Sequence, residues 1–533
     1  MANRDSFELA SLVSSVSGTD SSENERVNSS RARSFSSRES LESFSIRSPS
    51  VSSRISLSLP LALSRPSSPT LLPIAGTIAP TADLSALVAP PLEKQKRLGV
   101  FDGLALVVGL QIGSGIFSSP SSVDSRAGAP IVALAVWLVA GLLAWTGAAS
   151  YAELGTMLPV DGGPQYYLDL VYGPLPAFLF SWVAVTVLKP GSAAIIALVS
   201  GQYLGRFIGI DSTLFAKAAG IVILFLISGL NCFSPTISMR AGSVFLIVKL
   251  LALAAIGFIG VIVAIAGHGS GNLANGEWLK RPEGSRPISI GDLALALYAG
   301  LWAFDGWDNL NYVAAEMKHA EKDLPRVIHL AMPIVIISYL ATNLAYFVVL
   351  PREELTSSAV AISLGQYVGG AIGSAVFALI VMISCVGALN ATLFAAARLV
   401  YAAAQERFLP LFLGSLSTYS QAPVNALVFQ ALIAAVYILI GEFETLVTFY
   451  GIAGYVFYFL IVLGLILLRF RQPLLPRPYR TFILTPVVFC CVALFLISRG
   501  IFSAPLEALS VFLFVALGVP VYYFNRSRLN DRS

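Results

Sequence analysis

Polar and apolar positions along the chain segregate on a scale far longer than one helical turn. A polar, serine-rich stretch runs to about residue 95. Apolar runs follow near 101–126, 130–156, 174–204, 214–231, 240–265, 292–314, 325–350, 364–404, 424–441, 443–469, 483–499 and 505–524, separated by Pro, Gly and charged clusters. About 20 apolar residues suffice to cross a bilayer core as a helix. These runs are too long and too continuous for barrel strands, which take about ten residues of alternating pattern. The pattern predicts an all-α polytopic membrane protein with about twelve transmembrane helices.

Composition agrees: 56% of residues are hydrophobic and only 12% charged, about half the charged share of a soluble domain. The reading divides the chain into a disordered cytoplasmic tail over 1–95, a membrane domain over 96–525 and a short cytoplasmic tail over 526–533. Arginine-serine repetition in the first segment leaves too little apolar surface for a core. It suits a regulatory tail addressed by kinases or ubiquitin-ligase adaptors, or an inert solvated one. Formal net charge is +4, but the basic residues are scattered, which excludes a nucleic-acid face. Lys and Arg concentrate in alternate loops, including Lys318, Lys322, Arg326, Arg407, Arg469 and Arg477, and the positive-inside rule then puts both termini in the cytoplasm. Cys232, Cys385, Cys490 and Cys491 lie in or beside apolar runs and read as buried thiols. No Cys–His spacing suggests a metal site, and no cofactor motif is present.

Two apolar runs carry interruptions. The first reads "GLQIGSGIFSSP" at 109–120; the second, "GLWAFDGWDNLN" at 300–311, contains Asp305 and Asp308. Taken alone, Gly113, Ser114 and Gly115 suit close helix packing. Acidic residues at membrane depth must face protein or a water-filled cavity, and irregular backbone is tolerated there only beside a cavity. Breaks in the first and sixth helices fit a 5+5 inverted repeat, whose half-helix N–H groups suit an anion and whose unwound carbonyls suit a cation. A zwitterion answers both.

Seven motifs carry a family resemblance: "GSGIF" at 113–117, "SYAELGTMLPVDGGPQYYL" at 150–168, "KLLALA" at 249–254, "LALYAGLWAFDGWDNLNYVAAEM" at 295–317, "DLPRVI" at 323–328, "TNLAYF" at 342–347 and "SCVGALNATLF" at 384–394. Over about residues 98–525 the chain resembles the amino acid–polyamine–organocation superfamily, within it the L-type amino acid transporter group. The serine-rich tail resembles the fungal branch that includes methionine permeases. The resemblance implies a LeuT-type fold and amino acid transport by alternating access.

It also implies a site. The substrate carboxylate would dock on the N–H groups of Ser114, Gly115 and Ile116, and the ammonium on carbonyls of Gln111, Trp302 and Asp305, with Trp302 as an aromatic gate. Ile112, Phe304, Trp307, Asp308 and Asn390 complete the substrate-binding set, although Asn390 would equally serve as a cross-helix bond. Large-neutral transporters of the family have glycine where Asp305 stands; the branch taking both neutral and dibasic amino acids has "LWAYDGW", close to "LWAFDGW" here. Cation recognition, a proton-coupling role and an internal ion pair all remain open for Asp305. Lys249, inside the fifth helix, matches a lysine that replaces a sodium ion in the wider superfamily and argues for exchange or proton coupling. Glu153 and Glu316 suit intracellular gate ion pairs. Lys189 holds a place usually taken by arginine, with no role evident from the sequence. The loop "LGRFIGIDSTLFAK" lacks the cysteine that joins animal members to a heavy chain, so no disulfide-linked partner is expected. The sequence therefore points to a secondary transporter of large neutral or methionine-like amino acids at the plasma membrane, as a sodium-independent exchanger or proton symporter. Alternatives are a broad neutral-and-cationic carrier and a non-transporting amino-acid sensor; an enzyme is not indicated.

Overall fold

The computed structural model describes residues 96–530, apart from 268, 270–286, 356–358, 442 and 504. The predicted N-terminal tail over 1–95 lies outside the described residues. The described residues hold sixteen α-helices: α1 (Val100–Gln111), α2 (Gly115–Ala127), α3 (Pro130–Met157), α4 (Pro164–Tyr172), α5 (Pro174–Val183), α6 (Lys189–Ile208), α7 (Thr213–Phe233), α8 (Pro235–Ala266), α9 (Ile290–Ala303), α10 (Ala320–Val349), α11 (Arg352–Leu355), α12 (Val360–Gln405), α13 (Val424–Ile440), α14 (Phe443–Arg471), α15 (Leu484–Ser503) and α16 (Pro505–Asn530). Among the described residues only two isolated β-bridges occur, and the chain is an all-α polytopic membrane protein.

Local chemistry sets the boundaries. Proline occupies the first turn of α3, α4, α5 and α8, where its missing N–H costs nothing. Ser212, Ser234 and Ser289 cap α7, α8 and α9 through their hydroxyls. Left-handed glycines at 128, 209 and 267 end α2, α6 and α8.

Among the described residues nine helical spans are long and apolar enough to cross a membrane, and α1 with α2, bent by 42°, makes a tenth. Two shorter apolar helices, α9 and α13, complete the set anticipated from the apolar runs. The sixth run ends sooner than its composition suggests: α9 stops at Ala303, and turns and two 3₁₀ segments, Asn309–Tyr312 and Ala314–Glu316, carry the chain to α10. The third run is one span, α5 and α6, joined by a π-helical turn at Ala184–Leu188.

Burial grades outward from that span. In the α5–α6 span 94% of the most apolar window is buried inside protein, against 33% in α15 and 17% in α16. The central span is thus sheathed by protein while the last two helices present apolar side chains to lipid. Helices distant in sequence pack on each other: α2 on α9, α3 on α10, and α6 on α12. Both breaks meet at the centre of this arrangement.

Candidate functional site

The first break is a short non-helical link. Ile112 leaves the helical region, and α2 restarts at Gly115. Phe117 and Ser118 are the first residues of α2 whose N–H groups donate to backbone, both to the Ser114 carbonyl. Among the described residues the N–H groups of Ser114, Gly115 and Ile116 make no backbone hydrogen bond. Three donors at a helix N-terminus, where the helix dipole is positive, form an anion-binding end.

Gly115 permits the second break to reach it. A Cβ there would lie 2.5 Å from Ala303 Cα, so the start of α2 touches the end of α9 backbone to backbone. Beyond Ala303, Gly306 takes φ +110°. A side chain at that position would collide with Leu110 at 1.9 Å. The two glycines let two interrupted helices cross at contact distance.

Side chains from α10, α12 and α8 hold the link. The single Tyr339 hydroxyl proton lies between two acceptors, the Gln111 carbonyl and, at 2.9 Å, the Ala303 carbonyl. Gln111 Nε2 donates to the Phe304 carbonyl at 2.8 Å, while its Oε1 is buried with no hydrogen-bond partner. Ser384 donates to the Ile112 carbonyl at 3.0 Å. Lys249, 1% exposed, donates from Nζ to the Gly109 carbonyl at 2.5 Å. Most carbonyls freed by the first break are thereby already engaged by the protein.

Two cavities meet at the break. One is lined by Leu110, Gln111, Ser114, Gly115, Trp302 and Asp305, with Ser192 and Ile196 of α6. The other is walled by Tyr298, Trp302, Tyr450, Tyr455 and Tyr458 around Asp305. Trp302 and Asp305 line both. The Asp305 carboxylate accepts hydrogen bonds from Tyr450 at 2.5 Å and Tyr458 at 3.3 Å. Among the described residues, no Lys or Arg forms an ion pair with it.

Residues expected to surround substrate divide into two groups. Gln111, Ser114, Gly115, Trp302 and Asp305 converge on the cavities. Phe304 instead packs against Trp137 and Tyr339, and Trp307 against Tyr151, Tyr458 and Phe489. Both are buried supports for the break, and Ile112 and Ile116 are fully buried beside it. Asn390 lies elsewhere. It accepts from Asn231 and Ser238 and donates to the Ser238 carbonyl, tying α12 to α7 and α8. It borders a separate crevice with Asp102 and Phe394.

Against known proteins, a family model described as "Amino acid permease" matches residues 98–524. The b(0,+)-type amino acid transporter 1 of Rattus norvegicus is 37% identical over 435 residues, 81% of this chain and 88% of the relative. The large neutral amino acids transporter small subunit 2 of Mus musculus is 34% identical over 440 residues, 80% of this chain and 81% of the relative.

The chain belongs to the amino acid permease family.

It is an integral, multi-pass amino acid transporter. In this permease the two outlying carboxylates are ion-paired. Glu153 of α3 accepts both Arg469 Nε at 3.0 Å and Arg469 Nη2, and the Thr481 N–H at 2.9 Å, with Arg477 Nε at 3.7 Å. Glu316 pairs with Arg398 of α12 at 3.0 Å, and its carbonyl accepts the N–H groups of Arg97 and Leu98. Asp308 is neutralised as well: Lys189 Nζ lies 3.6 Å from Asp308 Oδ2 and 3.0 Å from Asn309 Oδ1.

The sequence pattern did not single out Tyr339, Tyr450, Tyr458 or Ser192, all of which touch the break or its cavities. A signal was present for one pair. Tyr450 and Tyr458 stand eight residues apart in an apolar run with Gly454 between them, which puts them on one helix face.

Proposed function

We propose that this permease carries large neutral amino acids by alternating access on a LeuT-type 5+5 scaffold, independently of sodium, as an exchanger or a proton symporter. The three N–H groups at the start of α2 that make no backbone hydrogen bond among the described residues carry this reading, those of Ser114 and Gly115 on a cavity that Asp305 also lines. They would receive the substrate carboxylate. Gln111 Oε1, which has no hydrogen-bond partner among the described residues, would accept the ammonium, and the aromatic cavity under Trp302 would take the side chain. Lys249 Nζ supplies a side-chain donor at the Gly109 carbonyl, which supports independence from sodium. We place the chain at the plasma membrane with both termini inside. It would work without a disulfide-linked partner, since the stretch "LGRFIGIDSTLFAK" at 204–217 holds no cysteine. The tail would be the place where kinases or ubiquitin-ligase adaptors act.

The unpaired Asp305 favours a second reading, a carrier that also takes cationic amino acids. A buried carboxylate on a cavity wall attracts a positively charged side chain strongly, because the local dielectric is low. A relative is named for b(0,+)-type transport and another for large neutral amino acids, and both readings have a namesake.

Purified protein in liposomes separates the outcomes. Uptake of labelled methionine that requires internal amino acid identifies exchange, and uptake driven by acid outside identifies symport. Binding without movement across a sealed vesicle would refute transport and leave a sensor. Competition by lysine or arginine that disappears in Asp305→Gly selects the broad carrier; no competition selects the neutral one.

A further inference from the structure

Two carboxylates flank Gly306 within the second break, yet their surroundings differ. Asp305 lines both cavities and is held by two phenols. Asp308 does not line them. Its side chain is 2% exposed and faces Lys189, whose own side chain is 6% exposed. Tyr312 donates to Asp308 Oδ2 at 2.9 Å and Asn309 Nδ2 to Oδ1 at 3.2 Å. Lys189 Nζ also stands 4.1 Å from the centre of the Tyr312 ring. Asn309 Nδ2 reaches the Gly306 carbonyl at 3.0 Å, so the ammonium is linked through one amide to the backbone of the break itself.

Lys189 is delivered there by an irregularity of the chain. It is the first residue of α6, directly after the π-helical turn Ala184–Leu188. A π turn inserts an extra residue and rotates the helix beyond it, and such turns concentrate at functional sites. Pro190 then fixes the restart of the helix.

We propose that Lys189 is a specificity-determining positioning residue: by neutralising Asp308 it leaves Asp305 as the single uncompensated charge presented to substrate, and so sets the balance between neutral and cationic amino acids. Two buried carboxylates and one ammonium sum to one negative charge. A cationic amino acid, with one net positive charge, neutralises the site; a zwitterion leaves it unchanged. Removing Asp308 would let Lys189 offset Asp305 instead and abolish the advantage of the cation. Removing Lys189 would enlarge it. This rests on the second reading above, in which Asp305 faces the substrate side chain.

The test compares inhibition of labelled methionine uptake by lysine and by norleucine, which has a lysine-length chain without the distal ammonium. The readout is the ratio of the two inhibition constants in proteoliposomes, a quantity insensitive to how much protein is active. Asp308→Asn is expected to shift the ratio about tenfold against lysine, the size of one charge acting over several ångströms in a partly polar interior. Lys189→Met should shift it towards lysine. The double variant K189M/D308N, which removes one charge of each sign, should return to the wild-type ratio, and Lys189→Arg should hold it. An unchanged ratio in Asp308→Asn, or a double variant that stays shifted, overturns the proposal. If Asp305→Gly moves the ratio while Asp308→Asn does not, only this inference fails. If Asp305→Gly leaves it unmoved, the reading beneath fails too. Should Asp308→Asn not assemble, the Lys189→Met and Lys189→Arg pair decides alone: a shift towards lysine in Lys189→Met with the parental ratio in Lys189→Arg supports the proposal, and any other pairing overturns it.

Discussion

Adding one methyl group at Gly115 tests the geometry of the crossing. The new Cβ would sit 2.5 Å from Ala303 Cα and 2.9 Å from Ala303 Cβ, against about 3.5–4.0 Å for a relaxed carbon contact. The nearer atom is backbone and cannot rotate aside, so α2 and α9 must separate by about 1 Å. Overpacking of this kind costs about 1–3 kcal/mol of stability. The larger effect falls on binding, because the displaced segment carries the N–H groups of Ser114, Gly115 and Ile116. Each charge-assisted hydrogen bond lost to a carboxylate is worth about 1.5–3 kcal/mol, or roughly a 10- to 150-fold rise in KM. Gly109→Ala is the control: six residues earlier in the same span, its Cβ would meet nothing within 4 Å. There the change removes a helix-interior glycine and gains about 0.5–1 kcal/mol. Initial rates of labelled methionine uptake against concentration, with thermal melts of the same preparations, give both quantities. A Gly115→Ala protein with KM within twofold of the parent would refute the placement of the carboxylate on α2.

Lys249→Met keeps the volume of the side chain but withdraws the donor from the Gly109 carbonyl. It should abolish or uncouple uptake while the protein still assembles, and unchanged kinetics would sink the assignment. Glu153→Ala leaves Arg469 and Arg477 buried without their shared carboxylate. Breaking a buried pair costs about 3–5 kcal/mol, read as a lowered melting temperature in detergent; a melt matching the parent would contradict it. Replacing external sodium by choline should leave methionine uptake unchanged, and a fall to half or less would overturn the role given to Lys249. Tyr450→Phe strips one hydroxyl from Asp305; it should alter inhibition by lysine more than by norleucine, and equal effects on both would count against Asp305 facing the side chain.

Much of the architecture was legible because lipid imposes a one-dimensional code. Apolar run lengths located the spans, and the glycines and acids inside two of them located the breaks. Boundaries were less legible where capping decided them: α8 begins at Pro235 under the Ser234 cap, not near Arg240, where the charge suggested an end. The amphipathic α4 is only nine residues long and too short to register as a run. Within the site, residues on the broken backbone were legible, since irregular backbone leaves a local signature. Partners from distant helices were not. Nothing in the sequence near Lys189 states that it faces Asp308, and Asn390 could not be assigned between a cavity wall and a cross-helix bond without seeing Asn231 and Ser238 beside it. Pairings of this kind depend on helix rotation, which run length does not encode.

The hydroxyl of Tyr339 has a mechanical consequence. By bridging the Gln111 and Ala303 carbonyls, it lets α10 rivet the broken ends of two spans to a common point. Strain applied at either end is shared by both, as in a yoke with two arms. Tyr339→Phe, by removing that one hydroxyl, would untie both broken ends from α10 at once.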